Sequence, residues 1–174
     1  PWLEEGSQLS QDKIQELQHL DKVESAYQRA LNYLSYRIRS EKEISLNLQK
    51  AGYQQGIIDE VIEKLRQVSL VDDREFAHQW VENRSRFRPR GKKALSSELF
   101  QKGISNQIID QVLEDLDEKA LAFKLARKKL SKIEGLDEKA YQQKMYGYLS
   151  RRGFSYNISK EIITLLWDEI NSQS

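Results

Sequence analysis

The chain is 174 residues long and carries 28 Lys and Arg against 27 Asp and Glu, a formal net charge of +1. No global field draws it to a polyanion, so any electrostatic function must come from local segregation of charge. It contains no cysteine, which excludes disulfides and thiolate metal sites, and no apolar run approaches the roughly 18–20 residues of a membrane-spanning helix.

Hydrophobic residues make up 39% and charged residues 32%, with eight glycines and only two prolines, Pro1 and Pro89. Leu, Glu, Lys, Gln and Arg dominate and lose little rotamer freedom in a helix, so the predicted fold class is all-α. The opening Pro1-Trp-Leu-Glu-Glu-Gly6 lacks the basic-then-apolar pattern of a secretory signal, and a cytoplasmic chain is expected. Residues 1–24 hold either a short helix at "SQDKIQELQHL" or a mobile arm, and Trp2 falls in a segment the sequence does not place.

Downstream, the apolar pattern repeats about every fifty residues. Gly52, Gly103 and Gly153 are 51 and then 50 residues apart. Eight residues before each stands Ile44, Leu95 or Met145, and four before stands Leu48, Leu99 or Leu149. Five after stands Ile57, Ile108 or Ile158; nine after, Val61, Val112 or Ile162; ten after, Ile62, Leu113 or Ile163; thirteen after, Leu65, Leu116 or Leu166. All eighteen positions are apolar, which marks an internal repeat. Spacing by four places them on helix faces, predicting a short helix before each glycine and a longer one after it.

The glycines are expected to end helices in the left-handed conformation, and Ser105 and Ser155 to cap the helices that follow. A further helix precedes each pair, at "SAYQRALNYLSYR", "DDREFAHQWVENR" and "DEKALAFKLARKKL". Ser40-Glu-Lys-Glu43 and Asp72-Asp-Arg-Glu75 resemble capping boxes. The predicted architecture is three tandem three-helix repeats over 25–69, 70–117 and 118–171. Units this small bury a core by stacking, which predicts an elongated, curved array.

Cations cluster in Arg84-Ser-Arg-Phe-Arg-Pro-Arg-Gly-Lys-Lys93. Pro89 bars helix continuation into its own position and biases Arg88 toward extended geometry. Arg84, Arg86, Arg88, Arg90, Lys92 and Lys93 thus span one helix end, a connector and the first turn of the next helix. Phe87 either stacks on a partner or folds into the core. Lys124, Lys128 and Lys129, with Arg127 and Lys132, form a second basic stripe on the first helix of the third repeat. Arg37 and Arg39, and Arg151 and Arg152, sit near helix C-termini, where cations offset the dipole. All are candidate contacts to an anionic partner, weighed against a solvated surface.

The aromatics Tyr27, Tyr33, Phe76, Trp80 and Phe123 occur at helical spacing and are expected to pack, with Trp167 closing the last unit. The two histidines, His19 and His78, have no ligand spacing, and Asp72-Asp73 and Asp115/Asp117 read as helix-terminus residues. No phosphate loop, zinc-protease motif or nucleophile elbow appears. No enzymatic activity, cofactor or metal is expected, and nothing demands more than a monomer.

Four segments in order resemble the RecX family of regulatory proteins: "ALNYLSYRIRSEKEI" (30–44), "LVDDREFAHQWVENR" (70–84), "GKKALSSELFQKGI" (91–104) and the weaker "YLSRRGFS" (148–155). The first repeat departs from the family pattern with Lys-Ala-Gly at 50–52, as does the proline-containing strip at 86–90. The resemblance implies a modulator, usually an inhibitor, of the recombinase RecA. Such a protein binds the RecA–DNA filament and damps its ATPase, strand-exchange and coprotease activities in DNA repair, recombination and the SOS response. Two other readings remain: a sequence-independent binder of single- or double-stranded DNA, and a helical scaffold for another protein.

Overall fold

The structure is a computed structural model and describes residues 10–133 and 135–172; the first nine residues, with Trp2, lie outside it. The described residues form nine helices and no strand. The first three are α1 (Gln11–Leu34), α2 (Glu41–Lys50) and α3 (Gln55–Gln67). Next come α4 (Asp73–Phe87), α5 (Lys92–Gln101) and α6 (Asn106–Glu114), then α7 (Glu118–Leu130), α8 (Glu138–Ser150) and α9 (Tyr156–Ser172). The all-α prediction holds, as does the grouping in three sets of three helices. By internal packing the chain divides between Asp73 and Arg74.

In the first unit, α1 is one continuous helix that runs from Gln11 through the "SQDKIQELQHL" segment into the stretch predicted after it and stops at Leu34, so that Ser35, Tyr36 and Arg37 fall outside it. Ser10 caps it by accepting from the Lys13 amide. Val23, Ala26 and Ala30 share one face and are fully buried, and the two alanines let the α3 backbone approach closely. Against them pack Ile44 and Leu48 of α2, and Ile57, Ile58, Val61, Ile62 and Leu65 of α3. The Ser40–Glu43 capping box is present with both of its hydrogen bonds. Arg66 holds Glu41 through paired bonds of 2.6 Å, which keeps its guanidinium firmly charged. The Glu41 amide in turn donates to the Asp73 carboxylate at 2.9 Å. Burial pushes Asp73 up to about 6, and the hydrogen bond from the Glu41 amide opposes that rise only in part.

The second unit holds α4 to α9, the second and third repeats. Phe76, Ala77 and Val81 of α4 are buried, as are Leu95 and Leu99 of α5 and Ile109, Val112 and Leu113 of α6. Beyond them Ala122, Leu125 and Ala126 of α7 pack with Tyr141, Met145 and Leu149 of α8 and with Ile162, Ile163 and Leu166 of α9. The Tyr141 hydroxyl donates to the Ile163 carbonyl at 3.3 Å, and burial moves its ionisation up to about 12. Trp167 lies against Tyr141, with centroids 4.9 Å apart.

Of the eighteen repeat positions, all but Ile108, Leu116 and Ile158 are buried, and those three are partly covered. Gly52, Gly103 and Gly153 have φ of 89°, 85° and 83°, the left-handed turns that the spacing requires. Ser105 and Ser155 accept from the amides of Ile108 and Ile158. One local expectation fails: α6 has nine residues and α5 has ten. The chain leaves α6 early because Asp117 caps α7 through the Ala120 amide, so residues 115–117 turn instead of extending the helix.

Candidate anion-binding cleft

The Arg84–Lys93 strip is divided by its own surroundings. Arg84 sits on the last turns of α4 with its side chain 25% exposed, and its Nε donates to Glu98 at 2.7 Å. Trp80 Nε1 donates to the same carboxylate oxygen at 2.8 Å, and the Arg84 guanidinium lies 4.7 Å from the Trp80 ring. Arg84 is therefore a packing element that clips α4 to α5. Arg90 lies beside the same acid, its Nε 3.7 Å from Glu98. Phe87 is 66% exposed, so it is not part of the core.

The chain then turns sharply. The Arg88 amide still closes the helix onto the Arg84 carbonyl at 2.9 Å, but Pro89 has no amide to offer. Gly91 begins α5 in extended geometry, and its amide donates to the Arg152 carbonyl at 2.9 Å. A methyl group on Gly91 would lie 2.3 Å from the Gly153 carbonyl oxygen, and one on Gly153 2.3 Å from Ala94 Cβ. Two glycines thus let the strip meet the α8–α9 turn backbone to backbone.

That contact creates a cavity of about 370 Å³. The connector supplies Arg86, Phe87, Arg88, Pro89 and Arg90 on one side; α7 supplies Lys124, Leu125 and Lys128; Tyr148 and Arg152 complete it from the end of α8. Six of these residues are cationic, and no carboxylate lines the cavity among the described residues. The Arg152 guanidinium lies 4.0 Å from the Tyr148 ring and Lys129 Nζ 5.3 Å from it, which fixes the positive edge of that wall. The Arg86 guanidinium lies 5.1 Å from the Phe87 ring. Such a site suits an anion with several oxygens, because arginines donate paired hydrogen bonds to phosphate or carboxylate.

The other candidates go elsewhere. Lys92 donates to the Glu114 carbonyl at 3.2 Å, and Lys92 and Lys93 line a separate concavity that contains Asp110 and Glu114. Arg37 is bound by Glu43 at 2.8 and 3.2 Å, and Arg39 stacks 4.0 Å from Tyr33. Arg151 folds back near Gly147. Arg127 pairs with Glu169 at 2.7 Å. Composition and charge patterning in the sequence do not single out Tyr148 or the clip residue Glu98. Tyr148 has no distinguishing spacing, whereas Gly91, at a helix start straight after a proline-containing connector, is a usable signal.

The fold and the cleft define an all-helical repeat protein, built from three-helix units and bearing a concave cationic site in its C-terminal part. Family models match in that same order: RecX, first three-helix domain, over residues 26–65; second, over 72–113; third, over 117–163. The chain belongs to the RecX family of regulatory proteins. It is 40% identical over 138 residues to a regulatory protein RecX of Chlorobium phaeobacteroides, covering 79% of this chain and 91% of the relative. It is 34% identical to one from a Mycobacterium species, covering 83% of each. A crystal structure of regulatory protein RecX superposes with a TM-score of 0.82 at 29% identity, covering 92% of this chain and 82% of that one. RecX from Lactobacillus salivarius does so with a TM-score of 0.78 at 30% identity, covering 84% and 97%.

Proposed function

We propose that this protein binds a RecA–DNA filament and damps RecA's ATPase, strand-exchange and coprotease activities, by occupying the filament and not by catalysis. Membership of a family of regulatory proteins supports the first part. The observation that carries the mode of contact is the cleft, where Arg86, Arg88, Lys124, Lys128 and Arg152 face one cavity without an acid among the described lining residues. Filament DNA presents a regular row of phosphates, and cations that each neutralise one phosphate gain affinity by releasing counterions. Exposed Phe87 at the rim supplies an apolar contact beside those cations. The helices hold the cations ready, so little ordering cost remains on binding.

The cleft also favours a second reading, in which the protein binds DNA alone and competes with RecA for it. Co-sedimentation with preformed RecA filaments separates the two when it is set beside DNA affinity measured without RecA over a salt series. The proposal expects the protein to pellet with filaments at concentrations where naked DNA of the same length retains little of it. Equal retention on naked DNA would favour competition, and absence from the filament pellet would refute the proposal.

A further inference from the structure

A second concave site lies on the opposite side of α8 from the cleft. Tyr148 faces the basic cavity, whereas Lys139, Gln143 and Tyr146, spaced by four and three, line a groove shared with α9. From α9 come Tyr156, Lys160 and Thr164, with the buried Ile163 beneath them, around a cavity of about 440 Å³. None of the α8 side chains in the groove serves the core face of that helix, which is Tyr141, Met145 and Leu149. The Tyr146 and Tyr156 rings meet edge to face, with centroids 5.6 Å apart at 68°. Yet they remain 39% and 60% exposed, although aromatic rings gain most when covered. Lys139 and Lys160 are exposed and have no ion-pair partner among the described residues. No carboxylate lines the groove among those residues.

We infer that the α8–α9 groove is a docking site for an acidic peptide segment of a protein partner, anchored by one aromatic side chain. The aromatic end near the Gly153 turn receives the anchor, and Lys139 and Lys160, both farther from that turn on the two walls of the groove, pair with carboxylates in the stretch of peptide that runs away from it. Such pairs give orientation and encounter rate, while the buried ring gives most of the affinity. Gln143 offers an amide to the peptide backbone. Nucleic acid fits less well: the tyrosines are paired edge to face and do not offer two open faces for base stacking, and two isolated lysines make no track for a phosphate chain. The inference stands independently of what enters the basic cleft.

Fluorescence anisotropy tests it, with a short labelled peptide in which acidic residues surround a single Phe. The wild-type chain should bind saturably, and the double change Lys139→Glu/Lys160→Glu should weaken binding about tenfold or more. Tyr156→Ala, or replacing the peptide's Phe by Ala, should weaken it by a similar factor, while Arg86→Ala/Arg88→Ala should leave it unchanged. Both lysines are exposed, so helical content and melting should stay at wild-type values; Lys139→Ala/Lys160→Ala provides a second variant with a smaller charge change. Three outcomes would each overturn the inference: no saturable binding, equal binding by the groove variants, or equal binding of the peptide without its anchor. So would a single-stranded oligonucleotide that binds in place of the peptide and is sensitive to the same two lysines.

Discussion

The Gly91 amide donates to the Arg152 carbonyl at 2.9 Å, and that one bond brings the arginine connector against the third repeat. The cleft exists because of it: residues 86–90 lie on one side of the contact, and Tyr148 and Arg152 on the other. The close approach is possible only where no side chain intervenes.

Gly91→Ala should therefore act on stability and binding together. The added methyl meets the Gly153 backbone at 2.3 Å, and overpacking of this kind costs about 1–3 kcal/mol. The melting temperature should fall accordingly, and partner affinity should fall even at temperatures where the variant is fully folded. Wild-type melting with wild-type affinity would show that the joint tolerates separation.

Leu149→Ala removes a fully buried side chain in the core of the third repeat. A destabilisation of about 2–5 kcal/mol is expected, read as a lower denaturant midpoint with the slope little changed. Leu99→Ala, at the matching position of the second repeat and equally buried, should behave alike. Normal melting in both would remove the basis of the repeat.

Asp73 gives a pH signature. The folded chain holds its proton up to about pH 6, against an ordinary value of 3.8. Between those values the native state binds more protons than the unfolded chain. The contribution of Asp73 is therefore fully present below about pH 4 and is lost as pH rises through about 6. Glu41 and Asp72 reinforce the rise and Arg66 opposes it. Asp73→Asn keeps the oxygen that accepts from Glu41 and abolishes the titration. Relative to wild type, the variant should gain on the order of 1 kcal/mol between pH 4 and 7, once solvent screening is allowed for. A pH-independent difference between the two unfolding curves would contradict this account.

Replacing Arg86, Arg88, Lys124 and Lys128 together by Ala should flatten the salt dependence of DNA-containing complexes. Every phosphate that is no longer neutralised lowers the slope of log affinity against log salt by about 0.9 on duplex, so the four changes together should lower it by about 2–4. Arg37→Ala is the control. Its guanidinium is held by Glu43, so the slope should stay unchanged while the start of α2 loosens.

The helices and the repeat were legible because both are written in local spacing. Ile44, Leu48, Ile57 and Val61 mark faces that bury themselves, and Gly52, Gly103 and Gly153 mark turns whose geometry few other residues accept. The site was only half legible. The strip and the α7 stripe were visible as charge, but nothing at short range pairs residue 88 with 124 or 152. Their convergence depends on the Gly91–Arg152 contact, which links positions some sixty residues apart. Charge alone also overcounts: Arg84 reads as the start of a binding strip, and only the placement of Glu98 and Trp80 reveals a clip. Arg37 likewise lies six residues before the acid that holds it, a separation that helical periodicity does not flag. Phe87 carries no inward or outward signal, because a single aromatic beside a proline has no period.

RecA's DNA-dependent ATPase, titrated with the wild-type chain and with the Arg86, Arg88, Lys124 and Lys128 quadruple alanine variant, tests the central claim most directly. The account predicts inhibition by the wild type and a curve displaced to about tenfold higher concentration or more for the variant, with both proteins melting alike. Superimposable curves from two well-folded proteins would contradict a role for the cleft, and a wild-type chain that leaves the ATPase untouched would contradict the proposed function.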